Sequence, residues 1–233
     1  MKKIFLLLLC LPICATSQKL KDVTQAIANK NIIVSEKEAE SAIKEILNMG
    51  ITRGVSMLSK KNGYFKNQNI KIPFPKEAKV MSKKLTKMGL KKQVDNVVLS
   101  INRAAEDAAT SAKPIFVNAI KNMTVKDAVN IVKNKEASGT SYLRVHTNDS
   151  LMIAFYPIVK NSLNKVNATK YWNSIIKTYN KIPFIDKINP NLNEYVTQKA
   201  IDGLFFMIMQ EEILIKKDVK KRTSDLLKKV FDT

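Results

Sequence analysis

Arginine is rare in this chain, and its few positions indicate sites where the geometry of a charge matters. Of the 40 basic residues, four are arginine, at positions 53, 103, 144 and 222. A guanidinium is a planar, permanently charged fork that can bind a carboxylate through two hydrogen bonds, which lysine cannot do. Arg103 lies three residues before Glu106 in the segment INRAAED, so the two can meet on one helix face. Arg144 has no acid one turn further on and needs a partner from elsewhere in the fold.

Two acids border the most apolar part of the chain. Asp202 precedes the segment Leu204–Met209, which is apolar on every face of a helix, and Glu211 follows it. A carboxylate that enters a protein core costs several kcal/mol unless it is paired. We therefore predict that Arg103 or Arg144 pairs with Asp202 or Glu211 inside the fold, against the alternative of exposed ion pairs worth about 0–1 kcal/mol each. The candidate cluster, structural or ligand-binding, comprises Arg103, Glu106, Arg144, Asp202, Glu211, Glu212 and Arg222.

The sequence lacks the residues that other common kinds of active site require. His146 is the only histidine, so neither a two-histidine metal motif nor a separate catalytic base is available, and we expect it to be a capping or surface residue near a helix end. Glu211 and Glu212 are adjacent and point to different faces of a helix. No glycine-rich phosphate loop or nucleophile elbow is found. We assign no catalytic residue, no metal site and no cofactor.

The first 17 residues have the pattern of a secretory signal peptide. Lys2 and Lys3 precede a short apolar run, and Ala15-Thr16-Ser17 predicts cleavage after Ser17. This indicates a periplasmic or secreted protein whose mature chain has no cysteine. The alternative is a lipoprotein anchored at Cys14, although Ile13 directly before it is bulky for such a site. Residues 18–34 then form an N-terminal arm that is mobile in one interpretation.

The strong positive charge narrows the choice of partners. Removing Lys2 and Lys3 lowers the formal net charge from +20 to +18. Outside the cytoplasm such a protein meets anionic envelope components rather than nucleic acid, and weak association with them is one interpretation. The other is a general lysine bias, since the lysines are spread over the whole chain. The basic run Lys216–Lys229 predicts either a membrane-surface helix or, in our preferred reading, a helix packed on its own domain.

Apolar residues recur at helical spacing nearly throughout, which predicts an all-α fold. We expect a single-domain multi-helix bundle over 35–233, with extended proline-containing connections such as IKIPFP. Ser35 begins a capping box for the first helix, and Gly50 and Gly54 indicate a second helix packed closely against it. We predict two successive helices in the next region: the first starts at Thr140 or Ser141, and the second, longer one starts at Asp149 or Ser150 and carries Pro157 in its middle. No segment of the mature chain is long and apolar enough to span a membrane.

Several segments together resemble a bacterial family known as domain of unknown function 4197. The resemblance covers nearly all of 35–233 and implies an exported helical protein without an established activity. It places Arg103, Glu106, Arg144, Asp202, Glu211, Glu212, Arg222 and Thr223 on the family's motif positions, while the heavy lysine content departs from the family. The segments that carry it are GYFKNQNIKIPFP, INRAAEDAA, AKPIFVNAIKNMTVKDA, TSYLR, AFYPIVKNSLNKV, YVTQKAIDGLFFMIMQEE and RTSDLLKKVF.

Two hypotheses of function follow. The first is a non-enzymatic binding or interaction module of the cell envelope, which includes a helical bundle that holds a small apolar ligand. The alternative is a hydrolase or lyase that uses the Arg/Glu/Asp cluster. A pocket that joins Arg103, Arg144 and Asp202 would favour a ligand, whereas a dry and fully paired cluster would leave only a structural role.

Overall fold

The predicted all-α fold is confirmed. A computed structural model describes residues 34–75, 78–87, 89, 91–134, 138–165, 167–181, 183–184, 187 and 191–232. These residues contain nine α-helices and no strand. The signal peptide, Cys14 and all of the arm except Val34 lie outside them. The helices are α1 Glu36–Leu58, α2 Lys79–Lys87, α3 Lys91–Ala109, α4 Ala112–Lys121, α5 Val125–Lys133, α6 Gly139–Lys165, α7 Ala168–Tyr179, α8 Leu192–Lys217 and α9 Asp225–Phe231.

Several helix starts follow directly from the local sequence. Ser35 caps α1, because its hydroxyl accepts from the Glu38 amide while the Glu38 carboxylate accepts from the Ser35 amide. Thr124 and Asp127 make the same reciprocal cap at α5. Such caps satisfy amide groups that a helix leaves unbonded in its first turn. The start of α1 lies where the Ser35 capping box predicts it.

The helix α8 is the centre of the bundle and packs against α1, α3, α6 and α7. The predicted close approach of a helix to Gly50 and Gly54 is confirmed, since a β-carbon at either glycine would lie 3.5 Å from a side-chain atom of Ile208 or Met207. Four of the six residues in Leu204–Met209 are buried, whereas Met209 is exposed. The segment is therefore surrounded on most of its circumference.

The prediction of two helices between Thr140 and Lys165 is wrong. The single helix α6 runs from Gly139 to Lys165 and passes through Pro157. The polar stretch around Asp149 does not break it. Leu143, Leu151 and Phe155 all pack in the core, and this packing stabilises one continuous helix. His146 consequently lies inside α6, whereas the sequence led us to expect it near a helix end.

The C-terminal helix α9 packs on its own domain. Leu227 and Val230 are buried in a cluster with Ala42 and Ile46 of α1 and Ile215 of α8. This confirms the prediction that the basic run packs on its own domain. The apolar stripe of α9 is covered by α1 and α8 and is not exposed for binding to a membrane surface. Among the residues that the structure describes, no helix has the length and apolarity required to cross a bilayer.

The non-helical segment 59–75 crosses the bundle between α1 and α2. Its end is fixed by aromatic packing, since the ring of Phe74 lies 5.4 Å from that of Trp172, the only tryptophan in the chain. Both side chains are buried. Residues 71–75 of IKIPFP belong to no helix, as the two prolines predict.

Candidate functional site

The segment INRAAED of α3 holds the crossing segment 59–75 in place. Asn102 is fully buried. Its Oδ1 accepts from the Ile72 amide at 2.9 Å, and its Nδ2 donates to the Ile72 carbonyl at 2.8 Å. The side-chain amide thus makes the two hydrogen bonds that a neighbouring strand would make to this residue. Nδ2 also donates to Val98 of its own helix. A side chain thus satisfies a buried stretch of backbone that has no strand partner.

One turn further along α3, the buried carboxylate of Glu106 holds a second point of the crossing segment. Its Oε1 accepts from the amides of Tyr64 and Phe65 at 3.1 and 3.2 Å. Its Oε2 accepts from Arg103, whose other terminal nitrogen donates to Asn62 at 2.8 Å. The Arg103 fork therefore neutralises an acid that is only 4% exposed, and fixes the turn at Asn62 as well.

The pairings predicted for Arg103 are therefore wrong in partner. Arg103 binds neither Asp202 nor Glu211, because its own helix supplies Glu106 one turn away. Among the residues that the structure describes, the deeply buried acids are Glu106 and Glu212. The structure places the predicted cluster residues in separate contacts and not in one network.

Arg144 does bind Asp202, at 3.1 Å, but the pair lies at the surface and not inside the bundle. The two side chains are 45% and 35% exposed. Arg144 also lies over the ring of Phe205, 4.4 Å from its centroid, and Lys199 approaches the same carboxylate. Asp202, which precedes the apolar segment Leu204–Met209, therefore binds its cationic partners at the protein surface and not in the core.

Replacing Arg144 by alanine should lower the free energy of unfolding by about 1 kcal/mol or less, because exposed ion pairs gain little in water. Arg53→Ala is the matched variant, since Arg53 makes a comparable surface pair with Glu211 at 2.9 Å. Urea unfolding of both variants measures the effect. A loss above about 2 kcal/mol for Arg144→Ala alone would show that Arg144 has a larger structural role.

Glu212 joins α8 to the start of α6. Its two carboxylate oxygens accept from the amides of Gly139 and Thr140, each at 2.9 Å, and from the Thr140 hydroxyl at 2.6 Å. Lys216 lies 2.8 Å away. Burial alone would raise the pKa of Glu212, but Lys216 and these hydrogen bonds outweigh it and lower that pKa below its ordinary value. The carboxylate thus caps a helix from outside it, where the positive end of the helix dipole favours an anion.

Arg222 ends α8 in a similar way. It is 6% exposed and donates to the carbonyls of Ile215 and Lys216 at 3.1 and 2.8 Å, while its remaining terminal nitrogen binds Asp232. These contacts satisfy carbonyls that the last turn of α8 leaves unbonded. Thr223, beside it, places its hydroxyl against the sulfur of Met49.

A groove of about 580 Å³ lies between the crossing segment and one face of α8. We call it the lysine groove, because three lysines line it. Its volume is in the range of small-molecule sites. The residues that line it are Asn69, Ile70, Lys71, Ile72, Pro73, Lys79, Tyr195, Lys199, Asp202, Gly203 and Phe206.

Helical spacing explains how α8 supplies its side of the groove. Its lining residues recur every three or four positions, so they share one helix face, and one of these positions is occupied by an adjacent pair. They are Tyr195, Lys199, the pair Asp202 and Gly203, and Phe206. The Tyr195 hydroxyl donates to the Pro73 carbonyl at 3.1 Å and ties the two walls together.

The floor of the groove depends on Tyr64. Its ring packs on Gly203, where a β-carbon would lie 2.6 Å from a ring carbon, so only glycine lets the two backbones approach this closely. The buried Tyr64 hydroxyl donates to the Ala200 carbonyl at 2.7 Å. Burial, followed by the charges of Glu106 and Asp202, raises the pKa of this phenol, so it stays protonated as a donor.

The groove contains one of the predicted site residues, Asp202, and sequence reasoning missed the others. Asn102 does not line the groove but holds the backbone of Ile72, which does. It carried a usable signal, namely an amide within the apolar stripe of α3 beside Ile101 and Ala105. Lys71 and Lys199 carried none, since each is one lysine among many.

A model of one protein family matches residues 33–232, nearly the whole chain. The chain belongs to the family described as "Protein of unknown function (DUF4197)". No curated protein and no solved structure matches it. The DUF4197 match confirms the resemblance from sequence and includes every residue of the lysine groove. Within the described part of this DUF4197 chain, no three His, Cys, Asp or Glu side chains lie together where they could hold a metal ion.

Proposed function

We propose that this protein is a non-enzymatic binding module of the bacterial cell envelope that holds an anionic amphiphile in the lysine groove. The observation that carries the proposal is the combination of charge and surface in that groove. Three lysines and a single acid line this cleft together with the apolar residues Ile70, Ile72 and Phe206. Cationic groups suit a carboxylate or phosphate head, and the apolar wall suits an aliphatic tail.

Two of the three cations have no carboxylate partner among the described residues and can meet a ligand head. Lys199 and Arg144 both approach Asp202, which neutralises the one acid of the groove. Lys79 has no side-chain partner among the described residues, and Lys71 contacts only the ring of Phe65, at 4.4 Å. The groove therefore carries uncompensated positive charge beside apolar surface.

The predicted export of the chain also supports the proposal. The signal-peptide pattern of residues 1–17 supports export, and anionic amphiphiles are abundant in an envelope. A hydrolase or lyase built on paired acids would need a second carboxylate beside Asp202, and the described lining residues supply none.

Isothermal titration with dodecyl phosphate and with dodecanoate, both below micelle formation, tests the proposal. We expect saturable binding of at least one of them, and no binding of dodecyltrimethylammonium or inorganic phosphate. In Lys71→Ala/Lys79→Ala the affinity should fall about tenfold or more, because two charge-assisted contacts are lost. Preference for the phosphate or the carboxylate then separates a lipid-like head from a fatty acid.

The matched control is Lys113→Ala/Lys160→Ala, which removes the same charge from exposed positions outside the groove. Its affinity should stay within about twofold of the unaltered protein, since remote surface charges are screened by salt. If both double variants weakened binding equally, the effect would come from the net charge of the protein and not from the lysines of the groove. Absence of saturable binding by either anionic probe would overturn the proposal.

A further inference from the structure

A second cleft, of about 390 Å³, lies between the end of α4, the start of α5 and the outer face of α6. We call it the His146 cleft. It differs from the lysine groove in charge, because no lysine or arginine is among its described lining residues. Its polar groups are amides, hydroxyls, one imidazole and one carboxylate. An anionic ligand has no counter-charge here.

Two amide side chains project into the His146 cleft without a partner. Asn118 and Asn122 stand one turn apart at the end of α4, and neither side chain makes a hydrogen bond to any described residue. Each amide offers two donors and an acceptor. The hydroxyls of Tyr142 and Ser150, which also line the cleft, likewise have no partner within the described residues.

The aromatic wall of the cleft is held rigid. The rings of Tyr142 and His146 stack with centroids 4.0 Å apart and planes inclined by 25°. His146 Nδ1 lies 2.8 Å from the Tyr142 carbonyl, which can only accept, so Nδ1 carries the hydrogen. In the neutral ring Nε2 is then left as an acceptor for a ligand.

Asp127 contributes one more acceptor at the rim. Its Oδ2 is engaged by the Thr124 hydroxyl and amide, at 2.6 and 3.2 Å, while Oδ1 has no described partner. The hydrogen bond from the Thr124 hydroxyl is the main cause that lowers the pKa of Asp127, so the carboxylate stays charged and only accepts.

We infer that the His146 cleft binds a neutral saccharide. Amide and carboxylate groups on one side can bind neighbouring hydroxyls of a sugar ring in pairs, as planar polar groups do with paired donors and acceptors. The stacked Tyr142 and His146 rings on the other side offer an aromatic face against the C–H surface of the sugar. The inference is independent of the proposal for the lysine groove, since the two sites share no lining residue.

The single histidine makes the test unusually direct. The whole chain has one imidazole, so its C–H resonances in a proton NMR spectrum report on this cleft alone. Maltotetraose, the tetramer of N-acetylglucosamine and tetraalanine are titrated in turn. We expect a saturable shift of the His146 signals with one of the saccharides and none with the peptide.

The variant Asn118→Ala/Asn122→Ala should weaken the responding saccharide about tenfold or more, because two sets of hydrogen bonds are removed. Both positions are exposed, so folding should be kept, which circular dichroism and the melting temperature check. The matched control Asn130→Ala/Asn161→Ala removes two exposed amides outside the cleft and should leave the affinity unchanged. No shift with either saccharide at millimolar concentration, a shift with tetraalanine instead, or equal affinity in the Asn118/Asn122 variant would overturn the inference.

Discussion

Glu106→Ala should lower the free energy of unfolding by about 3–5 kcal/mol, the range observed when one partner of a buried charge pair is removed. The substitution strands two backbone donors, the amides of Tyr64 and Phe65, and leaves Arg103 beside an apolar void. An unsatisfied buried donor alone costs about 1–3 kcal/mol. Urea unfolding at neutral pH, followed by circular dichroism, measures the loss.

Two further variants separate the parts of this effect. Arg103→Lys keeps the positive charge but loses the fork that reaches both Glu106 and Asn62, so we expect a smaller loss of about 1 kcal/mol. Glu45→Ala is the matched control on α1, since the Glu45 side chain has no partner among the described residues, and its effect should stay within about 0.5 kcal/mol. Equal stability of Glu106→Ala and Glu45→Ala would show that segment 59–75 is held by packing alone.

Glu212→Gln should cost about 3 kcal/mol at pH 7, and the difference should shrink as the solution is acidified. The amide keeps one acceptor but points its NH₂ group at donors, and it loses the charge that faces Lys216 and the start of α6. Because the pKa of Glu212 is lowered in the folded state, its charge stabilises the fold fully above the unfolded value of about 4.3. That contribution is lost as the pH falls through the lower, folded pKa.

Urea unfolding of the Glu212→Gln variant and the unaltered protein at pH 7 and near pH 3 gives the two differences. Other acids titrate in both proteins, so their contributions cancel in the comparison. Glu38 is one of them, since its hydrogen bonds to Lys229 and Ser35 lower its pKa to about 2. Glu45→Gln serves as the control, because it makes the same chemical change at a side chain that has no partner among the described residues. A gap for Glu212→Gln that stays constant between the two pH values would contradict the assigned role of its charge.

Local signals in the sequence sufficed for most helix boundaries but not for the site. The capping residues Ser35 and Thr124 contact amides three residues away, so a short window contains both partners. Periodicity likewise predicts an all-α fold, because each helix needs one apolar face. The error in α6 arose where a polar stretch looked like a helix start and tertiary packing overrode it.

The partners of the polar residues were much harder to predict. Glu106 binds backbone amides 42 and 41 residues away, and Asn102 binds backbone 30 residues away. Backbone donors leave no trace in residue type, so a search for side-chain partners does not find them. The rarity of arginine did indicate that the fork of Arg103 matters. Its partner, however, was the acid on its own helix.

The contact between Trp172 and Phe74 provides an optical reporter of assembly. With one indole in the chain, the fluorescence emission comes from a single place, where α7 meets the end of segment 59–75. The ties that hold this segment join residues far apart in sequence, and such contacts form slowly because long loops must close first. In a stopped-flow refolding experiment the helical signal should therefore recover before the tryptophan emission does. The lag between the two signals measures how late segment 59–75 docks on the bundle.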